Sequence, residues 1–230
     1  MKVFVADTDS LFISKLERSL SMSGFACEKA IISGKVQESL FHYLVNGFKG
    51  VVVLGAGLDD DLKESWIRQC RKSEAVFPVL VVTQAKRRDS LMKFNEVGMT
   101  DFICLPLRPD ELVTRISLLI RQVYPSDYAA NVFRNGPFVF SRFPNKVLRD
   151  GKEIELTVKE FELACLLFRH IGQPLSRVTI EETIWFSSEN ELSRTIDTHV
   201  SRVRNKLDLK EEHGYRLQQV YGYGYQLVEV

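Results

Sequence analysis

The chain has little of what most readily identifies a protein. Its longest apolar runs fall far short of the eighteen residues that suggest a membrane helix, so no such span is expected. The start, Met-Lys-Val-Phe-Val-Ala-Asp, reaches an acid at once and then alternates, unlike a signal peptide. The four cysteines, Cys27, Cys70, Cys104 and Cys165, form no CxxC pair. They read as reduced thiols of a cytoplasmic protein. His42, His170, His199 and His213 lack metal-ligand spacing, so no metal and no cofactor is expected. There is no internal repeat and no low-complexity tract. The formal net charge of +1 does not announce a nucleic-acid binder. Residues 131–230 hold 14 Lys/Arg and 14 Asp/Glu, so any case for DNA rests on where the charges lie.

What is present is length for two ordinary domains, 230 residues, with a globular 45% hydrophobic and 27% charged composition. Along residues 1–124 strand and helix patterns alternate. Apolar runs at 2–6, 26–32, 51–54, 78–82 and 102–104 read as strands, with helices at about 10–22, after residue 32 through about 46, and at about 62–72, 89–97 and 109–123. Ser10 is the expected cap of the first helix. That alternation predicts an α/β doubly wound domain with five parallel strands. Pro125-Ser-Asp-Tyr-Ala-Ala130 is a polar break, and residues 125–131 are the expected linker. Residues 132–230 form the second domain. Strands are expected at 138–140, 147–149 and 153–156. Thr157-Val-Lys-Glu160 is a capping box opening a helix that runs to Ile171, and Ser176 caps a further helix ending near Trp185.

The most informative stretch is Ser193–Leu209. Ile196, Val200, Val203 and Leu207 fall on one narrow helical stripe, at intervals of four, three and four. The opposite face carries Arg194, Thr198, Ser201, Arg202 and Asn205, all able to donate hydrogen bonds and none acidic. Arg204 and Lys206 lie on the flanks, with His199 beside Lys206. Such a helix suits a DNA major groove, although a basic outer face also occurs simply as a solvated one. Tyr215–Val230 then reads as two strands around a turn at Gly222 and Gly224, a β-hairpin.

A helix followed by a terminal hairpin resembles the winged helix-turn-helix domain of OmpR/PhoB-type response regulators. The matching residues are Leu156-Thr157-x-x-Glu160-Phe161-x-Leu163, Trp185, Ser193-Arg194-Thr195-x-Asp197-x-His199-Val200-x-x-Val203-Arg204-x-Lys206-Leu207 and Gly222-x-Gly224-Tyr225. The resemblance implies a two-component, DNA-binding transcription regulator that is not an enzyme. Arg202 would contact a base, or alternatively a phosphate. Thr198 would lie near a thymine methyl, and Arg194, His199 and Arg204 would contact phosphates. Asp197 would orient a neighbouring Arg or be structural. Tyr221 stands where the family commonly has an Arg entering the minor groove. Tyr221 and Tyr223 would pack on sugar–phosphate or simply pack the hairpin.

Residues 1–124 more faintly resemble the family's flavodoxin-like receiver, in which an aspartate after the third strand accepts a phosphoryl group beside Mg²⁺. Here that position is Gly55, the acidic pair is Asp7-Thr8 with Asp9 following, and the family's Lys is Leu105. Only Thr83 stands as the family has it. The resemblance therefore implies an atypical receiver, without Asp phosphorylation. Asp59-Asp60-Asp61 reads as a displaced acceptor or, more simply, as a solvated helix start. Asp101, Glu111 and Arg115 match the family's dimer charges, Phe102 its switch aromatic. The expected partners are promoter DNA, a second copy on tandem half-sites, and RNA polymerase as a further candidate, with no membrane. From a different class, the alternative is an adapter whose receiver binds a partner and whose winged helix no longer reads DNA.

Overall fold

A computed structural model describes residues 1–32, 42–44, 48–72, 76–84, 88–185 and 194–230, excepting the side chains of Arg88, Arg194 and Thr195. The chain forms two compact units, Met1–Ala130 and Asn131–Val230. The helix expected after residue 32 through about Asn46 and the loop expected at 186–192 fall largely or wholly outside the described residues.

The first unit is built on five parallel strands, β1 (Lys2–Asp7), β2 (Ala26–Ile31), β3 (Gly50–Leu54), β4 (Val79–Gln84) and β5 (Asp101–Leu105), in the order β2-β1-β3-β4-β5. All five residues of β3 are buried, as a central strand covered on both faces requires. Helices α1 (Ser10–Met22), α2 (Asp60–Lys72), α3 (Arg88–Glu96) and α4 (Pro109–Val123) cover the sheet. Phe4, Ala6, Val52, Leu54, Val79 and Val81 pack with Trp66 and Ile67 of α2 and Phe94 of α3. Alternation along the strands sends Val3, Val5, Val51 and Val53 to the other face.

The cap of α1 differs from expectation. Asp9, not Ser10, is the N-cap, and its carboxylate accepts from the Leu11 and Phe12 amides. A carboxylate offers a stronger acceptor to the orphan amides than a hydroxyl does. The expected linker is also not a bare break. Pro125–Ala130 is a short helix, α5, which Pro125 starts without losing a needed amide bond. Asp127 in its first turn pairs with Lys49 at 2.7 Å, so this segment is tied to the first unit.

The second unit opens with an antiparallel sheet, β6 (Val132–Asn135), β7 (Phe138–Arg142), β8 (Asn145–Arg149) and β9 (Lys152–Ile154), paired in sequence order. β6 was not expected from sequence, because Val-Phe-Arg-Asn is too short to show a period. Then come α6 (Val158–Arg169), the two-residue strand β10 (Leu175–Ser176), α7 (Arg177–Trp185), α8 (Arg194–Lys206) and the hairpin β11 (Tyr215–Val220) and β12 (Gly224–Glu229). The Thr157–Glu160 capping box is fully formed. Phe138, Phe140, Phe168 and Tyr215 make an aromatic cluster in which Phe140 and Phe168 lie 4.8 Å apart. β10 pairs with β12, and a Cβ at Gly224 would come within 2.1 Å of the Leu175 carbonyl oxygen. Only glycine permits that approach of two backbones.

Candidate nucleic-acid interface

Helix α8 buries the stripe read from the sequence. Ile196, Val200, Val203 and Leu207 are almost fully inaccessible and join the core with Trp185, Phe161 and Leu163. Thr198, Ser201, Arg202 and Asn205 are exposed together on the opposite side. Arg194 is the first residue of the helix, and its side chain lies outside the described residues.

The flanking side chains behave differently. The Lys206 ammonium donates to Glu160 at 2.7 Å, and the Glu160 side chain is only 1% exposed. Burial alone would raise the Glu160 carboxyl. The Lys206 bond and the Thr157 amide outweigh it and hold the carboxyl below its ordinary value. Arg204 is half-buried and its Nε donates to the Leu217 carbonyl oxygen at 3.1 Å, tying α8 to β11. His199 is half-buried, with its ring edge-on to Trp185 at 5.2 Å. Three side chains expected toward DNA from the sequence thus engage the protein itself. At the flank of a helical stripe the angle about the axis does not say which neighbour lies alongside.

One side chain was missed. Arg177, at the start of α7, donates to the Asp197 carboxylate of α8, with one of its bonds 2.7 Å long. The Tyr225 hydroxyl of β12 donates to the same oxygen, and the Arg177 guanidinium lies over the Tyr225 ring at 5.5 Å. The Tyr225 hydroxyl first, and Arg177 with it, hold the Asp197 carboxyl below its ordinary value despite some desolvation. Asp197 therefore does orient a neighbouring arginine. The sequence signal was weak, since Arg177 lies 20 residues upstream and outside the helical stripe.

Strands β11 and β12 pair from Tyr215↔Glu229 to Val220↔Gly224, leaving Tyr221-Gly222-Tyr223 as the turn. Gly222 takes φ of +69°, and Tyr223 N–H donates to the Val220 carbonyl oxygen. Tyr221 is 98% exposed and Tyr223 50% exposed, so Tyr221 does not pack the hairpin.

In the first unit Asp7, Thr8, Asp9, Gly55, Thr83 and Leu105 stand at or just beyond the C-terminal ends of β1, β3, β4 and β5. Asp7 and Thr83 are buried. The Asp7 carboxylate accepts from the Asp9 amide at 2.8 Å and the Gly57 amide at 3.1 Å, while Thr8 Oγ1 donates to the Gly57 carbonyl oxygen at 3.2 Å. The Asp9 carboxylate is occupied in capping α1. Gly55 and Leu105 supply no side-chain oxygen. Among the described residues no group of three His, Cys, Asp or Glu side chains is placed to hold a metal ion. The Asp59 carboxylate accepts from the Leu62 amide at 2.7 Å, as at a capped helix start. Asp101, Glu111 and Arg115 do meet, but within one chain. Arg115 bonds Asp101 at 2.9 Å and Glu111 at 3.0 Å. The four cysteines are free, and burial pushes the Cys70 thiol to about 11 and Cys165 to about 12.

Residues 151–227 match the family described as transcriptional regulatory protein, C terminal. The probable transcriptional regulator ycf27 of Galdieria sulphuraria is 31% identical over 215 residues, covering 90% of this chain and 82% of that protein. The transcriptional regulatory protein BasR of Escherichia coli K12 is 25% identical over 228 residues, covering 99% and 98%. The chain belongs to the OmpR/PhoB family of response regulators. As in that family, it is a transcriptional regulator whose second unit is a DNA-binding winged helix. The structure of Thermotoga maritima DrrB, titled an OmpR/PhoB homologue, is 22% identical, covers 99% of this chain and 98% of that one, and has a TM-score of 0.43. No helix among the described residues is long and apolar enough to cross a membrane.

Proposed function

We propose that this OmpR/PhoB-type protein is a cytoplasmic, non-enzymatic regulator that binds promoter DNA sequence-specifically without Asp phosphorylation, as a homodimer on tandem half-sites. The observation that carries the DNA reading is the exposed set Thr198, Ser201, Arg202 and Asn205, backed by a fully buried stripe on the same helix. The docked stripe fixes the orientation of donors that can reach base edges. Arg202 is the base-reading residue, because its planar fork matches guanine O6 and N7. Arg177, held by Asp197, joins Arg194 as a phosphate ligand. RNA polymerase remains the candidate second partner.

Phosphorylation independence is supported at Gly55, which offers no nucleophile where the family has its aspartate. The homodimer is supported by exposed apolar side chains at Phe102, next to Asp101, and at Leu118, beside Arg115. The internal engagement of Arg204 and Lys206 leaves room for the adapter reading, since it removes cations from the DNA-facing side. Selection of bound fragments from random-sequence DNA at ~150 mM salt, with no phosphodonor, separates the two. An enriched tandem motif supports the regulator. No enrichment from folded protein favours the adapter.

A further inference from the structure

The chain passes from one unit to the other over the single peptide bond Ala130–Asn131. Asn131 is already engaged in the second unit, where its carbonyl oxygen accepts from the Arg142 amide at 3.1 Å. The residues before it are held by the first unit. Of residues 124–130, Tyr124, Asp127 and Tyr128 are half-buried and the rest are exposed. Their spacing of three and one puts them on one helical face, and the Tyr128 amide donates to the Tyr124 carbonyl oxygen at 2.9 Å. The Tyr124 hydroxyl lies 3.2 Å from both the Gly50 and the Val76 carbonyl oxygens and accepts from the Gly50 amide at 3.4 Å. Lys49 pairs with Asp127 at 2.7 Å and lies 5.9 Å from the centre of the Tyr124 ring. The Arg121 guanidinium lies over the Tyr128 ring at 6.0 Å.

A helix as short as α5 does not persist alone in water, because its nucleation is unfavourable and it closes few hydrogen bonds. Docking on the first unit therefore keeps it helical, and release would let it extend. Helical, its six residues span about 9 Å; extended, they span about 20 Å. That difference matters to a protein that reads two half-sites. Two added base pairs carry one half-site about 7 Å along the duplex and about 70° around it. The effective concentration of a second binding unit is highest when its tether matches the span, and falls towards zero when the tether cannot reach. A tether shortened by docking does not tolerate such a shift, whereas a released one absorbs it.

We propose that Tyr124 and Asp127 are positioning residues that hold α5 on the first unit, and that this docked strap sets which half-site spacing the dimer accepts. The proposal rests on the tandem half-site reading above. Its test uses the full-length protein on fragments of the selected motif whose half-sites are moved apart by a few base pairs, with each half-site footprinted. Hydrogen exchange at residues 125–130 reads the docking itself. The wild type protects those amides, fills both half-sites at one spacing, and binds roughly tenfold more weakly about two base pairs away from it. Asp127→Lys combined with Tyr124→Phe sets a lysine against Lys49 and removes the phenol bonds. It exchanges the 125–130 amides faster and loses less than about threefold over the same shift. Its affinity for a single half-site stays that of the wild type. With Tyr124 intact, the charge swap Lys49→Asp with Asp127→Lys restores the sharp preference. A released α5 with an unchanged spacing preference overturns the proposal. So does a wild type indifferent to spacing, or a Tyr124→Phe, Asp127→Lys protein whose 125–130 amides stay protected. A wild type that fills one half-site at every spacing removes the tandem reading, and this proposal with it, while leaving DNA binding intact.

Discussion

Asp7 fills the space that a side chain at Gly55 would need. A Cβ built at Gly55 falls 1.8 Å from Asp7 Oδ2, and one at Gly57 falls 2.2 Å from Asp7 Oδ1. The carboxylate is 1% exposed and held by two backbone amides, so it cannot yield without losing buried hydrogen bonds. The Asp7 carboxylate thus occupies the space beside Gly55 rather than leaving a gap there.

Placing an aspartate at position 55 alone should therefore not create a phosphoryl acceptor. Gly55→Asp is expected to gain no phosphoryl group from acetyl phosphate and Mg²⁺, and to lose about 1–3 kcal/mol of stability through overpacking and like-charge contact with Asp7. Intact-mass spectrometry and urea unfolding measure the two outcomes. A stoichiometric phosphoryl adduct on the Gly55→Asp protein would show that the pocket opens. An adduct on the wild type would overturn phosphorylation independence itself.

On α8 the exposed arginine and the flanking lysine should separate cleanly. Arg202→Ala is expected to cost about 1–3 kcal/mol of DNA binding and to relax one position of the selected motif. Lys206→Ala is expected to leave the motif and the salt slope nearly unchanged but to destabilise the second unit by about 1–2 kcal/mol, because Glu160 stays buried without its cation. Solvent reaches Lys206 and screens part of its attraction to Glu160. Binding titrations at several salt concentrations, beside unfolding curves, distinguish these effects. A large drop in salt slope for Lys206→Ala would return it to the phosphate contacts.

The Arg177–Asp197–Tyr225 node sets a pH dependence. The Asp197 carboxyl is held below its ordinary 3.8, so its contribution to stability is complete above that value and is lost as the pH falls through the lower folded value. Burial first, and then Asp197, raise the Tyr225 phenol above its ordinary 10.0, so that contribution is complete below 10 and lost as the pH rises through the folded value. Between about 4 and 10 the node's contribution is flat. Asp197 is half exposed, and the Asp197–Arg177 pair is worth about 0–1 kcal/mol. Asp197→Asn should therefore be slightly less stable than wild type at pH 7, with the difference shrinking as the pH falls below 3.8. Equal stability at pH 7 would mean that the node contributes nothing.

Sedimentation should show a dimer at tens of micromolar. Leu118 is 57% exposed beside Arg115, and Leu118→Asp is expected to yield monomer without loss of fold. On selected DNA the variant should fill a single half-site where the wild type fills two. A wild type that stays monomeric would remove this face from the dimer.

The sequence by itself determined what depends on local period and turn chemistry. The alternation of β1 to α4 follows from short apolar runs separated by amphipathic helices. The buried stripe of α8 follows from its four-three-four spacing. The Thr157–Glu160 box and the Gly222 turn follow from residues adjacent in the chain. It also determined that position 55 has no carboxylate. Tertiary structure alone decided what meets across long separations: Asp7 with Gly55, Lys206 with Glu160, Arg204 with the Leu217 carbonyl, and Arg177 with Asp197 and Tyr225. A helical period gives the angle of a side chain about its own axis. Which element packs against that angle, and so whether a cation meets a buried acid or the solvent, is fixed only when the whole core closes.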